Sequence, residues 1–435
     1  MSHLTRRGLL IGSATAAAVA LTPEIAYAHE PGGKPRTVPF TLNGTVLDGG
    51  EQVTSLTLDV RDFDPIDPAS LTASTFTVHL TSTLPFALPA GETVFTPYDN
   101  VQRPVTKARL DHGKLVLELL TIDQTTPGNT LGYMLKAGRN VLMKQVYTIT
   151  QTAPLTLRGG ASLMLPGFTQ GRLVDPEVDA YSYHTSGDGM NYRLFSPRQG
   201  GGWERDHGRG KRPLIVWLHG GGEGGLLSED YYDNEPVLRA NRGALGFSTP
   251  EAQKIFGGAY VVAPQAEDYW LANALPGGPD YSGRLMTLVK ELVHRYPVDT
   301  QRIYVVGCSN GGYMSLEMTN VYHDFFAASV PICGVVADFP TAGTTLITDA
   351  QLKAIDTPSW LVCSAADPVV PPDANSVHAS KVIPHAILSE YPTVTRNGIT
   401  YNGHWSWIYV ARNDPQNHGQ HIWQWMASKE LSNHR

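Results

Sequence analysis

The feature that most constrains the fold is a serine between two glycines, placed directly after an apolar run. Residues 302–306 read Arg-Ile-Tyr-Val-Val, and Gly307-Cys308-Ser309-Asn310-Gly311 follows them. The run predicts a buried strand, and the residues after Gly311 are compatible with a helix. A serine on a sharp strand-to-helix turn has a strained backbone, and larger flanking side chains would collide with the neighbouring elements. The segment therefore predicts an exposed serine hydroxyl at the end of a buried strand.

A serine hydroxyl becomes a nucleophile only when a base takes its proton and an acid orients that base. When the serine lies on such a turn, the acid and then the histidine follow it in the chain. Asp367 ends the apolar run 359–366, and His404 lies in a glycine-containing loop after the last strand-like stretch. We therefore predict Ser309, Asp367 and His404 as the catalytic residues. Weaker alternatives are Asp338 and Asp373 for the acid, and His378, His385, His418 and His421 for the base.

A glycine-rich segment is the predicted partner of the serine in stabilising negative charge. His-Gly-Gly-Gly-Glu-Gly-Gly at 219–225 follows the apolar run 213–218. Bare glycines let backbone N–H groups approach a developing oxyanion, so we predict the N–H groups of Gly221 and Asn310 as donors, with Gly222 as an alternative to Gly221. No Gly-Lys-Ser/Thr follows, which excludes a phosphate-binding loop. His219 is predicted to brace this segment rather than to react.

Three tryptophans are candidates for a substrate pocket. Trp270 follows the apolar run 259–263, and Trp405 and Trp407 flank the predicted base. Aromatic side chains at the rim of such a site would line an apolar pocket. Each of them could equally be a core aromatic, and the sequence leaves the two interpretations open.

Residues 36–150 predict an all-β domain. About seven short segments alternate apolar and polar residues, and turn-forming residues separate them. The clearest are 40–46, 55–60, 75–80, the hairpin 107–110 and 114–119 around Asp111-His112-Gly113, and 141–149. This spacing is typical of an immunoglobulin-like sandwich. Its role stays open between a packing module and a substrate-binding or surface-binding module.

The pattern changes after a stretch rich in glycine, proline and threonine at 151–178, which we interpret as a linker. From 179 to 435, apolar runs alternate with amphipathic segments, of which 282–296 has helical spacing. Continuous apolar strands alternating with helices predict a mostly parallel sheet with helices on both faces. The fold class is therefore α/β, preceded by an all-β domain.

The first 28 residues are typical of an export signal. Arg6 and Arg7 precede an apolar, alanine-rich stretch, and Ala26-Tyr27-Ala28 offers a cleavage site. Paired arginines favour a bacterial twin-arginine signal, and an ordinary secretory signal is the alternative. We expect the mature protein to be secreted or periplasmic, without a membrane span.

The composition limits which kinds of substrate, cofactor and binding partner the protein is expected to have. The formal charge of −7 is spread along the chain, and no run of lysine or arginine indicates a nucleic-acid or anionic-membrane surface. The three cysteines, Cys308, Cys333 and Cys363, are too few for a disulfide scaffold and are predicted to be buried thiols. We expect no metal or organic cofactor, and an uncharged or weakly charged small-molecule or polymer-derived substrate.

Taken together, these motifs resemble the secreted esterases related to polyhydroxybutyrate depolymerases and feruloyl esterases. The matching pieces are His219–Glu223, Pro264-Gln265 with Trp270, Gly307–Met314, Asp367 with Pro371, and Gly403-His404 with Ser406-Trp407. The likeness runs from about residue 179 to the end, and some relatives carry an N-terminal immunoglobulin-like domain. The chain departs from the polymer depolymerases in its few cysteines and its lack of a Ser/Thr-rich linker.

The resemblance implies an α/β-hydrolase fold and cleavage of carboxylic esters through an acyl-Ser309 intermediate. A serine peptidase resembling the prolyl oligopeptidases is an alternative, although residues 36–150 show none of the blade repeats of their propeller. A non-catalytic binding protein on a hydrolase scaffold is a third hypothesis.

Overall fold

A computed structural model describes residues 25–27, 37–95, 97–197, 210–339 and 341–431. The predicted export signal, residues 1–28, lies outside this range except for the backbone of Ile25–Tyr27. Among the described residues, no helix has both the length and the apolar character needed to cross a bilayer.

The N-terminal part of the described chain consists almost entirely of strands. They are β1 (Ile25–Tyr27), β2 (Val38–Leu47), β3 (Gly50–Leu58), β4 (Phe76–Thr83), β5 (Val94–Phe95), β6 (Val101–Gln102), β7 (Val105–Asp111), β8 (Lys114–Leu119), β9 (Leu131–Met134), β10 (Arg139–Leu142), β11 (Lys144–Gln151), β12 (Leu155–Thr156), β13 (Ser162–Met164) and β14 (Phe168–Val174). Short 3₁₀ turns at Pro68–Ser70 and Ala73–Thr75 connect β3 to β4.

Two of its sheets enclose a core. One has the order β14-β2-β3-β8-β7 and the other the order β11-β4-β6. Leu56 of β3, Leu117 of β8 and Val78 of β4 are fully buried between them, together with Tyr147 of β11. Two smaller sheets, β10-β9-β5 and β1-β13-β12, complete the domain. The all-β architecture agrees with the sequence pattern, whereas the immunoglobulin-like topology stays a prediction.

Local patterns locate some strands well and others poorly. The predicted hairpin forms β7 and β8, and its turn residues His112 and Gly113 both have positive φ, as a two-residue hairpin turn requires. The single strand expected at 141–149 is two strands that break at Met143.

Residues 151–178 differ from the predicted linker. They hold β12, β13 and β14, and β14 pairs with β2 to complete the five-stranded sheet. The sequence did not predict these strands because apolar and polar residues alternate only weakly in this stretch, which is rich in glycine, proline and threonine. The hydrogen bonds of β14 come from a strand distant in the sequence.

The C-terminal domain alternates strands and helices. Its strands are β15 (Tyr181–Thr185), β16 (Asn191–Phe195), β17 (Arg212–Leu218), β18 (Tyr260–Pro264), β19 (Val298–Cys308), β20 (Ala328–Ile332), β21 (Trp360–Ser364), β22 (Ile387–Tyr391), β23 (Val394–Arg396), β24 (Ile399–Tyr401), β25 (Gln416–Asn417) and β26 (Gln420–His421). Its helices, with α1 just before β15, are α1 (Pro176–Asp179), α2 (Pro236–Arg239), α3 (Gly243–Ser248), α4 (Pro250–Phe256), α5 (Tyr281–Arg295), α6 (Asn310–Val321), α7 (Asp349–Ala354), α8 (Ser376–Val382), α9 (Trp407–Ala411) and α10 (Ile422–Ala427). Three 3₁₀ turns lie at Gly221–Glu223, Leu227–Glu229 and Trp270–Ala274.

An eight-stranded sheet organises this domain, with the order β15-β16-β18-β17-β19-β20-β21-β22. The pairs from β18 to β22 are parallel, and β15 and β16 are antiparallel additions at one edge. Ile215 and Trp217 of β17 face the core under α3, α4, α9 and α10, and Val216 faces the core under α5 to α8. The central strands β18, β20 and β21 are buried along their whole length because helices cover both faces of the sheet.

Buried ionic contacts join the two domains. The Arg239 guanidinium of α2 lies 2.5 Å from the carboxylate of Glu51 in β3, and that carboxylate also accepts a hydrogen bond from Thr130. Arg239 also pairs with Glu235 at 2.6 Å. Arg242 donates to the backbone carbonyl of Val46 at 2.7 Å. These contacts fix the sandwich against the α/β domain.

Replacement of Arg239 by methionine should lower the free energy of unfolding by about 3–5 kcal/mol, because it leaves the buried Glu51 carboxylate without its cation. The double change Glu51→Gln with Arg239→Met should recover part of that loss. Urea denaturation measures both. Arg61→Met, which removes an exposed pair with Asp59, is the control and should cost less than about 1 kcal/mol. An Arg239→Met effect no larger than the control's would contradict a stabilising role for the interdomain pair.

Candidate active site

Ser309 lies on the sharp turn between β19 and α6. Its backbone has φ 55° and ψ −113°, a strained conformation for a residue with a side chain. Glycine is required on both sides because a Cβ at Gly307 would collide with the carbonyl of Gly311, and one at Gly311 would collide with that of Leu218. The Ser309 N–H donates to the carbonyl of Ile332 at 2.8 Å, which fixes the turn to β20.

Asp367 and His404 are in direct contact. The carboxylate Oδ2 of Asp367 lies 2.8 Å from Nδ1 of His404, and both residues are buried. The other carboxylate oxygen, Oδ1, accepts the backbone N–H groups of Val369 and Val370. The Asp367 side chain is therefore fixed by the loop after β21, and the Asn402 side chain accepts the backbone N–H of His404.

Cys333 lies beside this pair. Its thiol donates to the carbonyl of His404 at 3.3 Å, and its sulfur, the Asp367 oxygen and a His404 nitrogen all lie within 4.8 Å of one another. These atoms are of metal-ligand type, but Asp367 and His404 already satisfy each other. Burial would lower the pKa of His404, yet the Cys333 sulfur and the Asp367 carboxylate outweigh it and raise the pKa to about 10.

The alternative acids and bases lie elsewhere. Asp338 and Asp373 are exposed, and the Asp338 carboxylate accepts the N–H of Gly343. Among the histidines, His378 pairs with Asp349 at the surface and His421 donates to the carbonyl of Asn413. Of the predicted acids and bases, only His404 lies at the cavity that Ser309 lines.

The glycine-rich segment forms a loop and a 3₁₀ turn facing the start of α6. His219 is fully buried, its Nδ1 donates to the carbonyl of Gly220 at 2.6 Å, and its Nε2 accepts the N–H of Ala266. Burial lowers the pKa of His219 to about 3, so the ring is a neutral brace. A Cβ at Gly221 would lie 3.8 Å from the Asn310 side chain, so the glycine turn and the first residue of α6 are neighbours.

A cavity of about 490 Å³ lies between the two domains, with Ser309 and His404 in its wall. The α/β domain contributes Gly220–Glu223, Tyr269, Trp405 and Trp407 to it. The N-terminal domain contributes Phe95, Tyr133 and Asn140, together with residues 48–51, 124, 129, 131 and 138. The β domain thus forms one wall of the candidate site. The sequence alone did not decide whether this domain takes part in the site.

The three predicted pocket tryptophans have different positions. Trp405 and Trp407 line the cavity, and the Trp407 ring meets the His404 ring edge-on with centroids 5.5 Å apart. Trp270 does not reach it, because its ring is fully buried against His219 and Tyr281 in the core. The adjacent Tyr269 is the cavity residue of that segment, and no pattern in the sequence distinguished the two.

Comparison with solved structures identifies the fold. A thermostable esterase superposes with a TM-score of 0.68 at 23% sequence identity, over 90% of this chain and 99% of the esterase. The fold is that of an α/β hydrolase. Because the superposition spans nine-tenths of the chain, the likeness takes in the β domain as well.

Other solved structures are more distant. The fluorophosphonate-binding serine hydrolase F of Staphylococcus aureus shares 12% identity over 57% of this chain and 97% of its own, with a TM-score of 0.41. A ferulic acid esterase shares 16% over 53% and 92%, with a TM-score of 0.37. Likenesses this low support no conclusion about this protein.

Sequence comparisons find less similarity than the structural comparison does. No curated protein sequence matches this chain. A model of the prolyl oligopeptidase family matches residues 283–349, which run from α5 to the first residue of α7 and include Ser309. The matched span is far short of half of the chain and does not assign the protein to that family.

Gly311→Ala should lower the free energy of unfolding by about 3 kcal/mol, because the new methyl group must push α6 away from the carbonyl of Leu218. Gly159→Ala is the matched control, since a Cβ there meets no atom within 4 Å. Thermal and urea denaturation of both variants measure the difference. If the two variants were equally stable, the close packing of Gly311 against the carbonyl of Leu218 would be contradicted.

Proposed function

We propose that this protein is a serine hydrolase that cleaves carboxylic esters, with Ser309, Asp367 and His404 as its catalytic residues. The observation that carries the proposal is the 2.8 Å contact between Asp367 and His404 at a cavity whose wall also contains Ser309 on its strained turn. A serine held this way beside an oriented imidazole is the arrangement that activates a hydroxyl for acyl transfer.

In the proposed reaction, His404 Nε2 takes the proton of Ser309 as Oγ attacks the ester carbonyl. The backbone N–H groups of Gly221 and Asn310 stabilise the oxyanion. The imidazolium, which Asp367 stabilises, then protonates the departing alcohol, leaving an acyl-Ser309. Water attacks this acyl group with His404 again as base, which releases the acid and restores the hydroxyl.

The cavity favours an uncharged substrate with apolar groups. Aromatic side chains of Phe95, Tyr133, Tyr269, Trp405 and Trp407 surround it. Its lining among the described residues holds Asp48, Glu51 and Glu223 but neither lysine nor arginine. An anionic substrate would therefore meet neither a lysine nor an arginine, whereas an ester of moderate size would meet aromatic surface.

A peptidase is the second candidate, because the prolyl oligopeptidase model matches the segment around Ser309. The N-terminal domain argues against it. Its described residues form packed sheets rather than the propeller blades expected of that family.

We also propose export through the signal at 1–28, and membership of the polyhydroxybutyrate depolymerase and feruloyl esterase group. Both rest on the sequence motifs alone. The immunoglobulin-like character of the β domain is proposed on its strand spacing and its two packed sheets.

The test is turnover of aryl acetate, feruloyl and hydroxybutyrate esters beside peptide anilides. We expect hydrolysis of at least one ester and of no peptide, loss of turnover in Ser309→Ala, and a fall of about 10⁴-fold in kcat for Asp367→Asn. Peptide cleavage without ester cleavage would favour the second candidate. Ester hydrolysis that survives Ser309→Ala would refute the assignment of the nucleophile.

The pH dependence follows from the raised pKa of His404. The imidazole must be neutral to act as a base, so kcat/KM should rise with pH through that pKa, and its acidic limb should lie above the ordinary value of about 6.5. Cys333→Ala removes one group that raises the pKa and should move the limb to lower pH. Cys363→Ala, in the buried strand β21, is the control and should leave it in place. A limb below pH 6.5 in the unmodified protein would contradict the account.

A further inference from the structure

The glycine loop that approaches Ser309 has almost no side chains of its own to hold it. Five of the seven residues 219–225 are glycines, whose backbone loses the most conformational entropy on folding. An oxyanion donor must nevertheless be fixed before the reaction, because its value lies in needing no reorganisation. The contacts that hold this loop are therefore part of the site.

Glu223 ties the loop to itself. Its side chain turns inward and is buried, and its carboxylate lies against the backbone of Gly220. The space beside Gly220 is filled by this carboxylate, since a Cβ there would lie 3.1 Å from Oε2. The main-chain carbonyl of Glu223 accepts from Gln265 at 2.9 Å. One buried carboxylate thus bridges the two ends of the turn that contains Gly221.

A buried carboxylate needs compensating charge or hydrogen bonds, and the N-terminal domain supplies them. Asn140 of β10 donates to Oε1 of Glu223 at 3.4 Å. Burial raises the pKa of Glu223 to about 7, although the Gly220 N–H and the Arg139 guanidinium favour its charged form. Arg139 and Asn140 are adjacent residues of one strand, so a single element of the β domain reaches the carboxylate.

Arg139 also contacts the end of the glycine loop and the neighbouring segment at residues 268 and 269. Its Nε donates to the carbonyl of Gly225 at 3.0 Å, and its Nη2 donates to Asp268. The guanidinium lies 3.7 Å from the centroid of the Tyr269 ring, and that ring packs on Gly221, where a Cβ would be 2.9 Å from it. The side chain is 3% exposed, so these contacts are shielded from water.

We propose that Glu223 and Arg139 are positioning residues for the oxyanion loop, so that the N-terminal domain is part of the apparatus that stabilises the transition state. Neither residue touches the reacting atoms. Glu223 fixes the turn that presents the Gly221 N–H, and Arg139 fixes Gly225 and Tyr269 on either side of it. This inference rests on the proposed esterase function, in which Gly221 is an oxyanion donor.

The test compares Arg139→Met and Glu223→Gln with Arg242→Met. Arg242 is a matched control because it too is a buried arginine that joins the domains through a backbone carbonyl, that of Val46, and also binds a carboxylate, that of Glu177 in α1, but it lies outside the cavity lining. For the first two variants we expect kcat to fall at least about 30-fold with KM within threefold, because a displaced donor weakens only the oxyanion contact. Arg242→Met should retain kcat while lowering the thermal midpoint.

A boronic acid that forms a tetrahedral adduct with Ser309 gives a second readout. Its inhibition constant should rise in parallel with the loss of kcat/KM in Arg139→Met and Glu223→Gln, whereas a merely destabilised fold would leave it unchanged in the folded fraction. Glu223→Gln preserves the side-chain volume, so it keeps the test informative if Arg139→Met fails to fold.

Three outcomes would overturn the proposal. Loss of kcat in Arg139→Met and Glu223→Gln no greater than in Arg242→Met would make both residues structural. A rise in KM with kcat intact would mean that the β domain only binds substrate. If the unmodified protein hydrolyses no ester and binds no boronate, the proposed function itself fails, and the positioning roles fail with it.

Discussion

The candidate site depends on the close approach of two backbones, the glycine loop after β17 and the start of α6 after β19. Gly311 packs against the carbonyl of Leu218 so closely that it leaves no room for a Cβ, and Gly221 lies beside the Asn310 side chain. Parallel pairing of β17 with β19 sets this distance, because the two strands end beside each other. The strained turn at Ser309 is the consequence, and the surrounding packing sustains it.

Much of the site was predictable because its signals are local. Gly307-x-Ser309-x-Gly311 after an apolar run, Asp367 at a strand end and His404 in a glycine-containing loop each depend on a few adjacent residues. The parallel strands β19 and β21 bring Ser309 and Asp367 to the same edge of the sheet, and the chain order acid then histidine after such a serine singled out His404. Trp270 and Tyr269 could not be told apart, because the 3₁₀ turn that begins at Trp270 decides which ring faces the core.

The remaining features come from contacts between distant parts of the chain. Strand β14 forms because it pairs with β2, more than a hundred residues earlier, and no alternation within 151–178 predicts that partner. Likewise, no motif in the sequence around Tyr133, Arg139 and Asn140 indicates a role in the site. They reach the site across the contact between the two domains, which includes the buried Glu51–Arg239 pair. A single sequence contains no signal for such docking.

The central claim is that Ser309 is an activated nucleophile, and covalent labelling tests it most directly. The folded protein would be treated with a fluorophosphonate probe beside Ser309→Ala, and the adduct located by mass spectrometry. The account predicts one phosphonyl group on Ser309, formed faster as pH rises through the pKa of His404 and absent from the variant. A folded sample that takes up no probe, or takes it up equally in Ser309→Ala, would contradict it.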